Sequence, residues 1–252
     1  MDYKAEKIKP YNAEDSKTGQ VRQMFDSIAP AYDFMNRAMT MGIDKIWRHI
    51  AVKMVRRHNP ASILDVATGT GDLAIKLCKS LASVKHVTGI DLSRNMLEVA
   101  KAKVAKASLA DKISFEEGDC LALRFNDDTF DAVTVAYGVR NFEHLEQGYR
   151  EMFRVLSPGG MLCVVELSTP TSRFIKLLYD FYTRTLIPLA GRLISHDKRA
   201  YSYLPESIAA VPQGNEMLDI MRRAGFTNCL YRRLTFGTCT IYTGEKGNDR
   251  QP

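Results

Sequence analysis

From residue 62 onward the chain alternates short apolar runs with amphipathic helical patterns, and that alternation limits its fold more than any other feature. "SILDVATGTGDLAIKL" (62–77) begins it. Ser62 to Ala67 reads as a strand, Gly69 and Gly71 as a turn, and Leu73, Ala74, Leu77 and Cys78 share one face of a helix opening at Asp72. "KHVTGIDLS", "KISFEEGD", "FDAVTVAYG" and "MLCVVELS" read as four further strands. Between them Ser93 caps a helix carrying Met96, Leu97, Ala100 and Val104, and a later helix carries Leu145, Tyr149, Met152, Phe153 and Leu156 until "SPGG" stops it. This order predicts an α/β fold with a doubly wound, mainly parallel sheet and ligands at the carboxyl ends of its strands. "NCLYRRLTFGTCTIYTGEK" alternates about Gly237 and predicts an antiparallel hairpin at the C-terminal end.

Three segments lie outside the alternation. Residues 1–58 read as a helical cap: 1–17 polar and frayed, then Val21, Phe25 and Ile28 at helical spacing, a turn at Gly42, and a helix with Ile43, Ile46, Trp47 and Ile50. The core domain spans 59–247, interrupted by a helical insertion at about 171–212, and 248–252 is a polar tail. In the insertion, Phe174, Leu177, Leu178 and Phe181 form one face, with Lys176, Asp180 and Arg184 opposite. That apolar face either packs on the sheet edge or, with Tyr32, Met35 and Met39, makes a lid over an apolar groove.

Gly69, Gly71 and Ala74 fit the loose dinucleotide fingerprint G-x-G-x-x-A. Asp72 argues against that ligand, because a pyrophosphate sits at the helix N-terminus and a carboxylate there repels it. An adenosine carrying an ammonium and a sulfonium is attracted instead. Asp91, at the end of the second strand, suits ribose hydroxyls in either case, and Asp119, just past the third, suits an adenine amino group. The three sites together point to S-adenosylmethionine.

Two stretches carry a resemblance: "YDFMNRAMTMGIDKIW" (32–47) and "RVLSPGGMLCVVELSTP" (154–170), joined by "YGVRNFEHLEQ" and "HDKRAYSYLPESIAAVPQ". On these the chain resembles the C-methyltransferases of menaquinone and ubiquinone biosynthesis over nearly its whole length. It departs from their usual pattern at Thr40, Arg124, Ala136 and Ser157. The resemblance implies a Rossmann-like class I S-adenosylmethionine-dependent methyltransferase fold, with cofactor contacts at Thr70, Asp91, Asp119 and Cys120; the loop argument adds Gly69, Gly71 and Asp72. It implies C-methylation of a prenylated quinol, demethylmenaquinol to menaquinol, with the ubiquinone-pathway benzoquinol as the alternative. A methyltransferase acting on RNA or another small molecule is a third reading.

Methylating a ring carbon beside a phenolic hydroxyl leaves the protein two tasks: positioning the nucleophile, and stabilising a developing phenolate. Arg140, at the end of the fourth strand, is the expected cation, and Asn141 the expected partner of the same oxygen or of a bridging water. His196, in the insertion, is the candidate base, with a relayed water as the alternative. No metal-ligand spacing occurs, so no metal is expected. The net charge of +6 is spread along the chain without an aromatic-rich basic stripe, so no nucleic-acid partner is expected. Five scattered cysteines and the lack of an apolar signal or of an 18-residue apolar run point to the cytoplasm. The basic surface could make a transient peripheral contact at the inner face of the membrane, and the hairpin edge or N-terminal helices could pair two copies.

Overall fold

The computed structural model describes residues 3–186 and 198–248. Seven strands form one sheet: β1 (Ser62–Val66), β2 (His86–Asp91), β3 (Ile113–Glu117), β4 (Phe130–Ala136), β5 (Leu156–Leu167), β6 (Thr227–Leu234) and β7 (Cys239–Glu245). Their order is β3-β2-β1-β4-β5-β7-β6. The first five pair in parallel, whereas β7 runs antiparallel between β5 and β6. Order reverses between β1 and β4, which makes their carboxyl ends the ligand crevice of such a sheet. Strands β1 and β4 and residues 160–166 of β5 are mostly buried, which is why they read as continuous apolar runs. The "SPGG" stretch does not stand between helix and strand. β4 already pairs with β5 at Leu156, and the extra residues are taken up as a register shift between Phe130 and Ala132.

The helices in chain order are α1 (Lys4–Lys7), α2 (Lys17–Ile28), α3 (Tyr32–Thr40), α4 (Asp44–Arg56), α5 (Asp72–Ser80), α6 (Arg94–Lys106), α7 (Leu145–Val155), α8 (Arg173–Phe181), α9 (Lys198–Ala210) and α10 (Asn215–Arg223). Apolar side chains fill both faces of the sheet, and a smaller cluster around Met24, Met35, Met96 and Tyr203 joins α2 and α3 to α6 and α9.

The N-terminal segment is not frayed. Ala5 is buried, and Lys17 is fully buried with its ammonium donating to the carbonyls of Ala5 (2.7 Å), Arg140 (2.9 Å) and Phe142 (3.2 Å). Glu143 accepts the amides of Lys17 and Thr18 at 3.0 Å each, closing the N-terminus of α2. Arg140, Phe142 and Glu143 lie more than 120 residues away, so local polarity had no means of signalling them.

Candidate active site

The crevice holds three adjoining chambers. The first lies between the strand ends and α2, and its lining includes Val21, Phe25, Gly69, Asp91, Asp119 and Cys120. Asp91 sits at its floor: Oδ2 accepts the Gly69 amide at 2.8 Å and Oδ1 the Ser93 amide at 2.9 Å. Burial pushes its carboxyl up to about 6, against the pull of those amides. Asp65 on β1 behaves alike: burial raises it to about 6 although Thr68 and Thr134 each donate to it at 2.6 Å. Asp119 accepts the Leu121 amide at 2.9 Å, and burial holds the Cys120 thiol well above its usual range.

The second chamber is polar and shares Tyr32, Gly69 and Tyr137 with the first. Thr70 donates to Asp33 at 2.6 Å and accepts from Lys103 at 3.1 Å. Asp72 does not present the free carboxylate that the loop argument gave it. Lys103 bonds one oxygen, Arg48 reaches the other at 3.1 Å, and Arg37 stands at 3.7 Å. Burial would raise its pKa, but these cations outweigh that and leave it below the ordinary value. Arg48 is itself buried and ion-paired with buried Asp44, so α3 and α4 are pinned to α5 and α6 by one charge network. Gly71 lines none of the chambers described; with φ +76, and a Cβ there falling 2.9 Å from Phe115, it serves the turn.

The lining of the first two chambers fits S-adenosylmethionine. Asp91 is placed for ribose hydroxyls, apolar Ile90, Leu92 and Met96 for a flat base, and the mixed charges of the second chamber for an amino-acid end.

Residues 13–246 match the ubiE/COQ5 methyltransferase family. The chain belongs to this family. It is 48% identical to a demethylmenaquinone methyltransferase of Bacteroides fragilis over 98% of this chain and 100% of that one. It is 43% identical to the ubiquinone/menaquinone biosynthesis C-methyltransferase UbiE of Geobacter sulfurreducens, over 98% and 96% respectively. The fold is shared with the [4+2]-cyclase SpnF, at TM-score 0.68 and 17% identity over 91% of this chain and 96% of that one. The methyltransferase sheet is thus the expected class I arrangement, and S-adenosylmethionine is its methyl donor.

The third chamber of the methyltransferase is mostly apolar, about 180 Å³, and shares Tyr32 and Tyr137 with the other two. Met39, Met41, Ile43, Trp47 and Leu167 line it, and Arg140 enters it from the short turn after β4. Arg140 is buried and donates to Glu166 at 2.8 Å and to the Tyr137 carbonyl, while its Nε has no partner among the described residues. Burial disfavours its charge, but Glu166, Tyr32 and Tyr203 outweigh this and hold its pKa above the usual value. Asn141 does not cap α7, whose N-cap is His144. Its amide donates to the Tyr137 carbonyl at 3.4 Å and accepts from the Tyr203 hydroxyl at 3.1 Å. Asn141 lines the first chamber, and these two bonds use one of its two N–H donors and one lone pair of its oxygen. His196 lies outside the described residues.

The insertion departs from both expectations for its apolar stripe. Phe174, Leu177, Leu178 and Phe181 neither pack on the sheet nor line the chamber; they are 71%, 69%, 55% and 60% exposed. Tyr179, Tyr182 and Thr183 face the chamber instead, while Met35 is buried in the cluster between α3, α6 and α9. On the far side Lys176 pairs with Asp180 at 3.1 Å as the spacing predicted. Sequence reasoning missed Glu166, although a lone acid in the apolar run of a central strand is a usable signal. It also missed Arg48, four residues after Asp44, which carried the same kind of signal in an i,i+4 pair.

Proposed function

We propose that this methyltransferase methylates a ring carbon of a prenylated quinol, converting demethylmenaquinol to menaquinol. Arg140 carries the reading: a buried cation with an unpartnered N–H donor lines the apolar chamber, which adjoins the cofactor chambers at Tyr32 and Tyr137. When bound, S-adenosylmethionine supplies a methyl group on a positively charged sulfur. The chain holds the ring in line with it, excludes water, and stabilises negative charge on the oxygen beside the accepting carbon. Arg140 does the last. Glu166 aims the guanidinium, and the Asn141–Tyr203 bond holds the turn that carries it. Helices α2 and α3 exclude water, with Phe25 packed edge-on to Tyr32 at 5.9 Å. His196 or a relayed water takes the phenolic proton.

The prenyl tail lies in the apolar chamber, and the insertion acts as its lid. Met41 on the chamber wall is 76% exposed, and Phe236, between lining residues Thr235 and Thr238, is 77% exposed. With the α8 stripe they supply apolar side chains for a peripheral contact with a membrane, where such a quinol resides. No helix among the described residues is long and apolar enough to cross one. The test is single-turnover transfer of labelled methyl to chemically reduced demethylmenaquinol, by wild type and by Arg140→Ala. The variant should lose turnover by ~10²-fold or more while adenosylhomocysteine affinity changes less than ~3-fold. Equal losses in both would refute the role of Arg140, and transfer to no quinol would refute the substrate.

A further inference from the structure

Tyr137 walls all three chambers, and its conformation and its hydroxyl are both costly. It leaves β4 with φ +61, a left-handed conformation that a bulky side chain adopts only when its surroundings impose it. Its amide donates to the Val165 carbonyl at 2.7 Å, which locks the turn. Trp47 packs on its ring edge-on at 6.4 Å, and the Arg48 guanidinium lies 5.9 Å from the ring centroid. So held, the side chain is 8% exposed and lines all three chambers.

Its hydroxyl is buried without a hydrogen-bond partner among the described residues. A buried hydroxyl left unpaired costs free energy, and phenylalanine would keep the same packing without that cost. Tyr137 Oη and Arg140 Nε are the two buried side-chain polar atoms in this condition among the described residues, and both residues line the apolar chamber. Burial also holds the Tyr137 hydroxyl well above its ordinary pKa, so it remains an O–H.

We propose that Tyr137 is a specificity-determining residue that hydrogen-bonds the second ring oxygen of the substrate, across the ring from the oxygen facing Arg140. The inference rests on the quinol reading. A hydroquinone carries two oxygens in para relation, and two residues of the chamber wall each carry a buried polar atom without a partner among the described residues. A ring with a single hydroxyl satisfies Arg140 and leaves Tyr137 unpaired. The site therefore selects the doubly oxygenated ring by the cost of that unpaired group.

The experiment compares two probes on the full-length enzyme: reduced 2-prenyl-1,4-naphthoquinol, and 3-prenyl-1-naphthol, which keeps the hydroxyl beside the accepting carbon and lacks the other. Wild type should favour the quinol in kcat/KM by ~10–100-fold. In Tyr137→Phe that preference should shrink to within ~3-fold, through a higher KM for the quinol and a smaller loss on the naphthol. The melting temperature of the cofactor-free variant should hold or rise, because an unpaired buried hydroxyl is removed. Preference retained in the variant overturns the proposal, as do equal losses on both probes or a fall in melting temperature. Wild type methylating neither probe overturns the quinol reading as well, so the two failures are distinguishable.

Discussion

Cofactor affinity should fall on mild acidification, and Asp91 should be the cause. A ribose hydroxyl donates to a carboxylate, so binding needs Asp91 ionised, and its folded pKa near 6 means that neutrality is close to its titration. Between pH ~7.5 and ~5 the ionised fraction drops to about a tenth, which weakens binding about tenfold, or ~1.4 kcal/mol. Unfolding does not mimic this. Both Asp65 and Asp91 titrate above their ordinary 3.8, so the folded chain holds more protons than the unfolded one between that value and about 6. Through these two groups, lowering the pH across that window favours the fold. The assay is calorimetric titration with adenosylhomocysteine at several pH values, in two buffers of different ionisation enthalpy to count protons released. Asp91→Asn should bind more weakly near neutrality and show a flat profile, because Asp65, the other carboxyl raised to about 6, does not line the first chamber. A flat wild-type profile, or a slope surviving in Asp91→Asn, would refute the reasoning.

Lys17 titrates near 7 in the fold, against 10.5 ordinarily, because of burial. The unfolded chain therefore holds the extra proton between those values, and wild-type stability should gain about 2 kcal/mol from this group between pH ~7 and ~9. Chemical denaturation of Lys17→Met should lack that gain; identical pH dependence in both would exclude it. Arg48→Met strands buried Asp44 and removes one of the three cations around Asp72, and should cost ~3–5 kcal/mol, read as a lowered denaturation midpoint. Leu177→Asp with Phe181→Asp touches only exposed positions, so it should leave the melting temperature unchanged and abolish flotation with anionic liposomes. Flotation equal to wild type would remove the membrane contact.

What the sequence disclosed follows from range. Strands that bury both faces announce themselves as apolar runs, and residues at their ends, such as Gly69, Asp91 and Asp119, inherit their places from the sheet. The α8 stripe was legible as an apolar face, but periodicity does not say what lies opposite, and here nothing among the described residues covers it. Asp72 was judged by its place at a helix start, whereas its charge is set by Arg37, Arg48 and Lys103 from three other helices. Tyr137 carried no local signal, since an aromatic after a buried strand most often completes a core. Its meaning lies in a missing partner, which only the packed structure reveals.

The buried side chain of Lys17 ties two distant parts of the site together. Its Nζ donates to the Ala5 carbonyl of α1 and to the carbonyls on either side of Asn141, in the turn that carries Arg140. The N-terminal helices that wall the first chamber and the turn that presents the arginine thus share a single fastening. A substitution in α1 that unseats this nitrogen reaches Arg140 without touching it.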